Sequence, residues 1–184
     1  MLWLIRHGET EWSLSGAHTG RSDIPLTAKG EEKARGLRAK LSGREFGLVL
    51  VSPLKRARRT CELAGFGAQA QIEPNLLEWN YGSYEGRTTE EIQKERPGWS
   101  VFRDGVPDGE RIDQVADRAS AAIARALGSA GDTALFAHAH ILRILTARWL
   151  RLAPEDGSLF ALDTGSISTL GYERETRVIR SWNG

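Results

Sequence analysis

The 184-residue chain contains one cysteine, Cys61. A lone thiol closes no intramolecular disulfide, so the sequence is no disulfide scaffold and fits a reducing, cytoplasmic setting. Long hydrophobic runs are also missing. The apolar stretch at the N-terminus is stopped by Arg6, which leaves too little for a membrane span or for the apolar segment of a signal peptide. Neither charge is in excess, because 25 Lys+Arg against 24 Asp+Glu leave a net +1. Nucleic acid and anionic membrane surfaces are therefore not expected partners. Repeats, low-complexity tracts and linkers are absent, and a composition of 40% hydrophobic and 27% charged residues is that of a folded chain. One domain over residues 1–184 is expected. Lysine is scarce: five of the 25 cations are lysine and 20 are arginine. The arginine fork suits carboxylate and phosphate, although the bias alone selects no function.

What is present is an alternation of short apolar runs with longer amphipathic stretches. Residues 1–5, 48–51 and 133–137 read as strands buried on both faces. A charged helix is expected from the N-cap Thr27 to about residue 41, and a second from Ser52-Pro53 to about residue 65. A weak strand fits residues 70–72, and Thr88-Thr89-Glu90-Glu91 reads as a capping box opening a short helix that Pro97 closes. Residues 110–127 form an alanine-rich helix with Ile112, Val115, Ala119, Ala122 and Ala126 in one stripe. A last helix spans 141–152, and residues 168–172 with 178–182 form an edge hairpin. Strands alternating with helices imply an α/β sandwich with a largely parallel sheet, whose ligands sit at the carboxyl ends of the strands.

Those ends carry the chemistry. The first strand releases Arg6-His7-Gly8-Glu9-Thr10, the second leads into Ser52 through Arg59, and the third releases His138-Ala139-His140. Two of four histidines thus stand at the ends of separate buried strands. Glycine after His7 allows close approach of a ligand to the backbone, and the positive Arg6 disfavours an imidazolium beside it. Phosphoryl transfer to histidine uses such a set: arginines spread the charge of the equatorial oxygens, a neutral imidazole attacks, and an acid protonates the departing oxygen.

Leu4-Ile5-Arg6-His7-Gly8-Glu9-Thr10 resembles the signature of the histidine phosphatase, or phosphoglycerate mutase-like, family. The resemblance continues in family order through Thr19-Gly20, Pro25-Leu26-Thr27 and Ser52-Pro53-Leu54-Lys55-Arg56-Ala57. It goes on through Leu77-Glu78 with Tyr81-Gly82-Ser83-Tyr84-Glu85-Gly86, and His138 with Leu142-Arg143. It implies a three-layer α/β/α sandwich, a phosphohistidine on His7, and a phosphate pocket completed by Arg6, Arg56 and His138. Glu78 matches the proton donor, ahead of Glu9, Glu85 and Asp163, and Ser13, Thr19 and Gly20 fall where relatives touch the substrate. Neither metal nor organic cofactor is implied, and the partner is a small phosphorylated metabolite.

Several residues carry competing readings. Of the run 55–59, Arg56 lies at the helix start where anions bind, while Lys55, Arg58 and Arg59 are expected to face water. Trp12, Trp79, Tyr81 and Tyr84 either line a pocket or close the core. His18 either touches substrate or caps its loop. His138 and His140 invite a metal reading, but only His7 and His18 could join them, and a helix starting at Ala139 would turn the two rings apart. Within the family, Trp79-Asn80 stands where mutases have an Arg-His pair, Ser13 replaces their asparagine, and the chain ends at Gly184 soon after its last strand. These departures favour a phosphatase acting on sugar or sugar-acid phosphates over a phosphoglycerate mutase or a non-catalytic phosphate-binding relative. Ala139 replaces the usual glycine after the pocket histidine.

Overall fold

The computed structural model describes all residues 1–184. Six strands form one sheet: β1 (Leu2–Arg6), β2 (Leu48–Val51), β3 (Ala70–Ile72), β4 (Thr133–Ala137), β5 (Ile167–Glu173) and β6 (Thr176–Ser181). Their order is β3-β2-β4-β1-β5-β6. The pairs β3–β2, β2–β4 and β4–β1 are parallel, while β1–β5 and β5–β6 are antiparallel. The hairpin read from the sequence is thus the sheet edge, and the parallel core is where continuous apolar runs placed it.

Side chains alternate across each strand and divide the core in two. Leu2 and Leu4 of β1 join Leu135 and Ala137 of β4 on one face. Trp3, Ile5, Ala134 and Phe136 enter the other. The first face is covered by α6 (Ile112–Leu127) and α7 (Ala139–Trp149), the second by α2 (Ala28–Lys40) and α3 (Lys55–Leu63). This is the α/β/α sandwich expected. Every residue of β4 is buried, as a central strand covered on both faces requires. No helix is long and apolar enough to cross a membrane.

Capping follows local chemistry in most places. Thr27 accepts from the Gly30 N–H at 2.9 Å, and Thr88 and Glu91 form the expected capping box of α4 (Thr89–Glu95). The start of α3 needs correction: Leu54 holds the N-cap position without a side-chain bond. Ser52 lies outside the helix because its hydroxyl is bonded to His138 at 2.7 Å. The start of α6 moves two residues in, since the Glu110 N–H is bonded to the Asn80 carbonyl at 2.9 Å. Two short helices were not read from the sequence. One is α1 (Glu11–Ser15), capped by Thr10 with Ser13 and ended by Gly16 at φ 76°, and the other is α5 (Val101–Asp104).

The loop after β1 is clamped on the first turn of α2. A Cβ on Gly8 would lie 2.4 Å from the Gly30 carbonyl oxygen, and one on Gly30 would lie 2.1 Å from that of Glu9. Gly36, later in the same helix, has nothing within 4 Å. Gly36→Ala should therefore raise stability by about 0.5–1 kcal/mol. Gly30→Ala should lower it by about 1–3 kcal/mol through overpacking. Urea unfolding of both variants checks this, and two shifts of the same sign would refute the clamp.

Candidate active site

The carboxyl ends of β1, β2 and β4 open onto a cleft of about 530 Å³, a volume suited to a small-molecule ligand. Arg6, His7, Ser13, Thr19 and Glu78 line it, whereas Arg56 and His138 are buried outside its lining and touch it through Thr19 and His7. His7 is held by backbone and ring together. Its N–H bonds the Ala137 carbonyl at 3.0 Å, and Nδ1 lies 2.7 Å from the Gly8 carbonyl oxygen. Since a carbonyl only accepts, Nδ1 carries the proton and Nε2 keeps a free lone pair. The His7 and His138 rings stand 5.1 Å apart.

Arg56 has no solvent exposure. Its Nη1 donates to the Ser22 carbonyl at 2.8 Å, Nη2 to those of Thr19 and Gly20 at 3.0 Å each, and Nε to His138 Nδ1 at 3.1 Å. A guanidinium cannot accept, so His138 Nδ1 is the acceptor. Its proton sits on Nε2, donated to Ser52. Thr60 completes the frame: its hydroxyl donates to the Arg56 carbonyl at 2.7 Å and accepts the Gly8 N–H at 3.0 Å. Arg6 reaches the Leu162 carbonyl through Nη1, while its buried Nε has no protein partner. Lys55, Arg58 and Arg59 are exposed, and Arg59 pairs with Glu31.

Electrostatics favours a neutral imidazole at His7. Burial lowers its pKa most, then the Arg56 charge, then that of Arg6, against the opposing pull of the Gly8 bond. Sequence pointed to Arg6 alone, the third of these causes. Burial also works against the charge of both guanidiniums, and the Glu78 carboxylate works for it. Cys61 offers no rival nucleophile, since burial pushes its thiol up to about 12.

Glu78 sits at the amino end of α7. Its Oε1 accepts the Trp79 and Ile141 N–H groups and Oε2 that of His140, each at 3.0 Å. The other carboxylates are engaged elsewhere: Glu9 with Thr27, Glu85 with the Gly20 and Ser22 N–H groups, Asp163 with Asn183. Gly20, expected to touch substrate, has its N–H on Glu85 and its carbonyl on Arg56. Ser13 and Thr19 do line the cleft, although the Ser13 hydroxyl also closes the Thr10 cap. Of the four aromatics, Trp12 and Tyr81 line the cleft, while Trp79 and Tyr84 belong to the core. His18 both lines the cleft and contacts Thr89 at 3.3 Å. His138 and His140 turn apart, the latter meeting the Tyr81 hydroxyl through Nδ1. With His138 bonded to Arg56 and Ser52, the pair is no ligand set.

Sequence reading missed Ser52 and Thr60 as tethers, because their partners lie in strands and loops far along the chain. It missed Arg118 and Glu110 as well. Arg143, noted only as part of a motif, lines the outer cleft and stacks on Phe102 at 4.6 Å.

The family model for the histidine phosphatase superfamily (branch 1) matches residues 2–184. The chain is 41% identical over 185 residues to an acid phosphatase of Mycobacterium tuberculosis, covering 96% of this chain and 88% of that one. It is 36% identical over 182 residues to sedoheptulose 1,7-bisphosphatase of Saccharomyces cerevisiae, covering 81% and 67% respectively. The solved structure of an open reading frame product from M. tuberculosis matches with a TM-score of 0.93 at 38% identity, over 99% of this chain and 96% of that one. The chain belongs to the histidine phosphatase superfamily and has its phosphoglycerate mutase-like fold. It is an enzyme that acts on phosphomonoesters.

All four histidines have pKa values lowered by burial, His18 to about 4. The unfolded chain takes up these protons near the ordinary 6.5, whereas the folded chain resists. Stability is therefore complete above that pH and is lost as pH falls below it, by about 1.4 kcal/mol per pH unit for each histidine held neutral. The urea midpoint should drop clearly between pH 7 and pH 5. An unchanged midpoint, or imidazole resonances titrating near 6.5, would contradict the neutral cluster.

Proposed function

We propose that the chain hydrolyses small phosphomonoesters, sugar and sugar-acid phosphates foremost, through a phosphohistidine on His7. The observation that carries this reading is the free Nε2 of a neutral imidazole, held by its Nδ1 bond to Gly8 in a site with the buried guanidinium of Arg56 and the half-buried one of Arg6. Nε2 attacks phosphorus as the bond to the leaving oxygen breaks, and the guanidiniums of Arg6 and Arg56, the latter held by His138 Nδ1, answer the charge on the equatorial oxygens. Glu78 gives the leaving oxygen its proton. Oε1 already accepts two N–H groups and Oε2 only one, so the proton belongs on Oε2. In the second half, water attacks phosphorus, the P–N bond breaks back to neutral imidazole, and Glu78 takes the proton that water loses.

The outer cleft supports a sugar-sized leaving group. Its walls carry Trp12, His18, Tyr81, Trp99 and Phe102, flat faces against which a ring can lie. A mutase must also retain a bisphosphate by further basic groups. The guanidiniums lining the cleft are Arg6 and Arg143, and its histidines are held neutral, which favours hydrolysis. We assign the enzyme to the cytoplasm, where a single buried thiol such as Cys61 stays reduced.

Phosphate release from a panel of sugar phosphates and phosphoglycerates should persist in excess EDTA and vanish in His7→Ala. Activity that survives His7→Ala would overturn the assignment. Glu78→Gln should slow alkyl phosphates by about 10²–10⁴-fold and aryl phosphates far less, because an aryl oxide departs without a proton. Equal losses on both would remove Glu78 from the acid role.

A further inference from the structure

The carboxylate of Glu78 is held from the front by α7, but the backbone that carries it runs through an irregular segment with no ladder of its own. Behind that segment lies an ion pair outside the cleft. Arg118, on α6, donates Nε and Nη2 to the two carboxylate oxygens of Glu110 at 2.8 and 2.9 Å. With its remaining donors it reaches the carbonyls of Asn75 at 3.0 Å and Leu77 at 2.8 Å through Nη1, and that of Glu78 itself at 3.5 Å through Nη2. Glu110 grips the same segment. Its carboxylate accepts the Asn80 N–H at 2.8 Å, its own N–H bonds the Asn80 carbonyl at 2.9 Å, and its carbonyl accepts the Trp79 indole at 2.8 Å. Both side chains are mostly buried, 17% and 16% exposed.

We propose that the Arg118–Glu110 pair is a positioning device for Glu78, fixing the proton donor against the leaving oxygen. The inference rests on the reading of Glu78 as the acid. Neither residue lines the cleft, so neither is catalytic. A two-pronged guanidinium–carboxylate pair has one geometry. Here that geometry is passed to the backbone on both sides of Glu78, at Asn75, Leu77, Glu78 and Asn80, so a loosened pair displaces Oε2 while leaving His7, Arg6 and Arg56 in place. A displaced acid costs rate only where the leaving group needs a proton.

The test compares Arg118→Gln, Arg118→Lys and Glu110→Gln with the unaltered enzyme on glycerol phosphate and on p-nitrophenyl phosphate, with inhibition by inorganic phosphate measured alongside. The expected result is a tenfold or greater fall in kcat on the alkyl ester, little change on the aryl ester, and an unchanged inhibition constant for phosphate. Arg118→Lys, which keeps the charge without the fork, should recover only part of the loss. Equal losses on both esters, weaker phosphate inhibition in step with the rate, or no loss at all would overturn the proposal. Should Arg118→Gln fail to fold, Glu110→Gln retains the Arg118 carbonyl contacts and gives the same readout. Glu78→Gln run in parallel separates the two ideas. If it too fails to discriminate between the esters, the acid assignment falls. If it discriminates and the Arg118 and Glu110 variants do not, only the positioning role falls.

Discussion

A guanidinium with no access to water must be answered on every side, and the site is arranged around the answer given to Arg56. No carboxylate forms a salt bridge with it. Three loop carbonyls and one imidazole nitrogen take four of its five donors instead. Because those acceptors belong to the loop at residues 19–22 and to the end of β4, one side chain from α3 fixes three parts of the chain. Neutral acceptors solvate the charge without cancelling it. The site therefore keeps a positive excess, with Arg6 adding a second, half-buried guanidinium whose Nε lacks a protein partner. In the proposed reaction a phosphate dianion supplies the missing charge on arrival. Water around a flexible pair of arginines would first have to be reorganised, whereas here the dipoles are already in place.

Burial and, at His7, His138 and His140, nearby arginine charge explain why the histidines resist protonation. In a pocket already carrying two cations, a third charge on His7 would be expensive, and burial adds to that cost. The proposed nucleophile is kept neutral by burial first, and then by the groups that attract its target. His138 illustrates the division of labour. Arg56 claims its Nδ1 and Ser52 its Nε2, so it is oriented twice over. Resistance of buried imidazoles to protonation is a debt against folding in acid. The structure carries it at all four positions, in keeping with a site that trades stability for a fixed electrostatic field.

Much of this was legible in the sequence because it is local. Continuous apolar runs gave the buried strands, Thr27 and Thr88 gave helix starts, and the placement of Arg6-His7 and His138 at strand ends gave the floor of the cleft. What escaped was set by distant partners. Ser52 looks like a helix cap until His138, 86 positions away, takes its hydroxyl. Gly20 looks like a phosphate contact until Glu85 and Arg56 take its polar groups. The sheet order brings these residues together, and no periodicity reports it. The aromatics divide for a similar reason: Trp12 and Trp79 have equal claims to a pocket, yet the Trp79 indole is drawn inward by the Glu110 carbonyl.

The cleft is therefore asymmetric in a way that bears on selectivity. Its floor is charged and cross-linked by hydrogen bonds between β1, α3 and β4, so in the proposed function it discriminates by charge and recognises a phosphoryl group whatever that group is attached to. Its outer walls are aromatic rings and neutral imidazoles drawn from α1, the loop after it, α5 and the start of α7. Apart from the Arg143 guanidinium these walls are uncharged and select by shape, where each added or missing methylene changes binding by only about 1–3 kcal/mol. The chemistry is thus set by residues the sheet holds in place. The choice of leaving group rests with short helices and loops that can vary without disturbing it. Family membership accordingly fixes the reaction more firmly than the substrate.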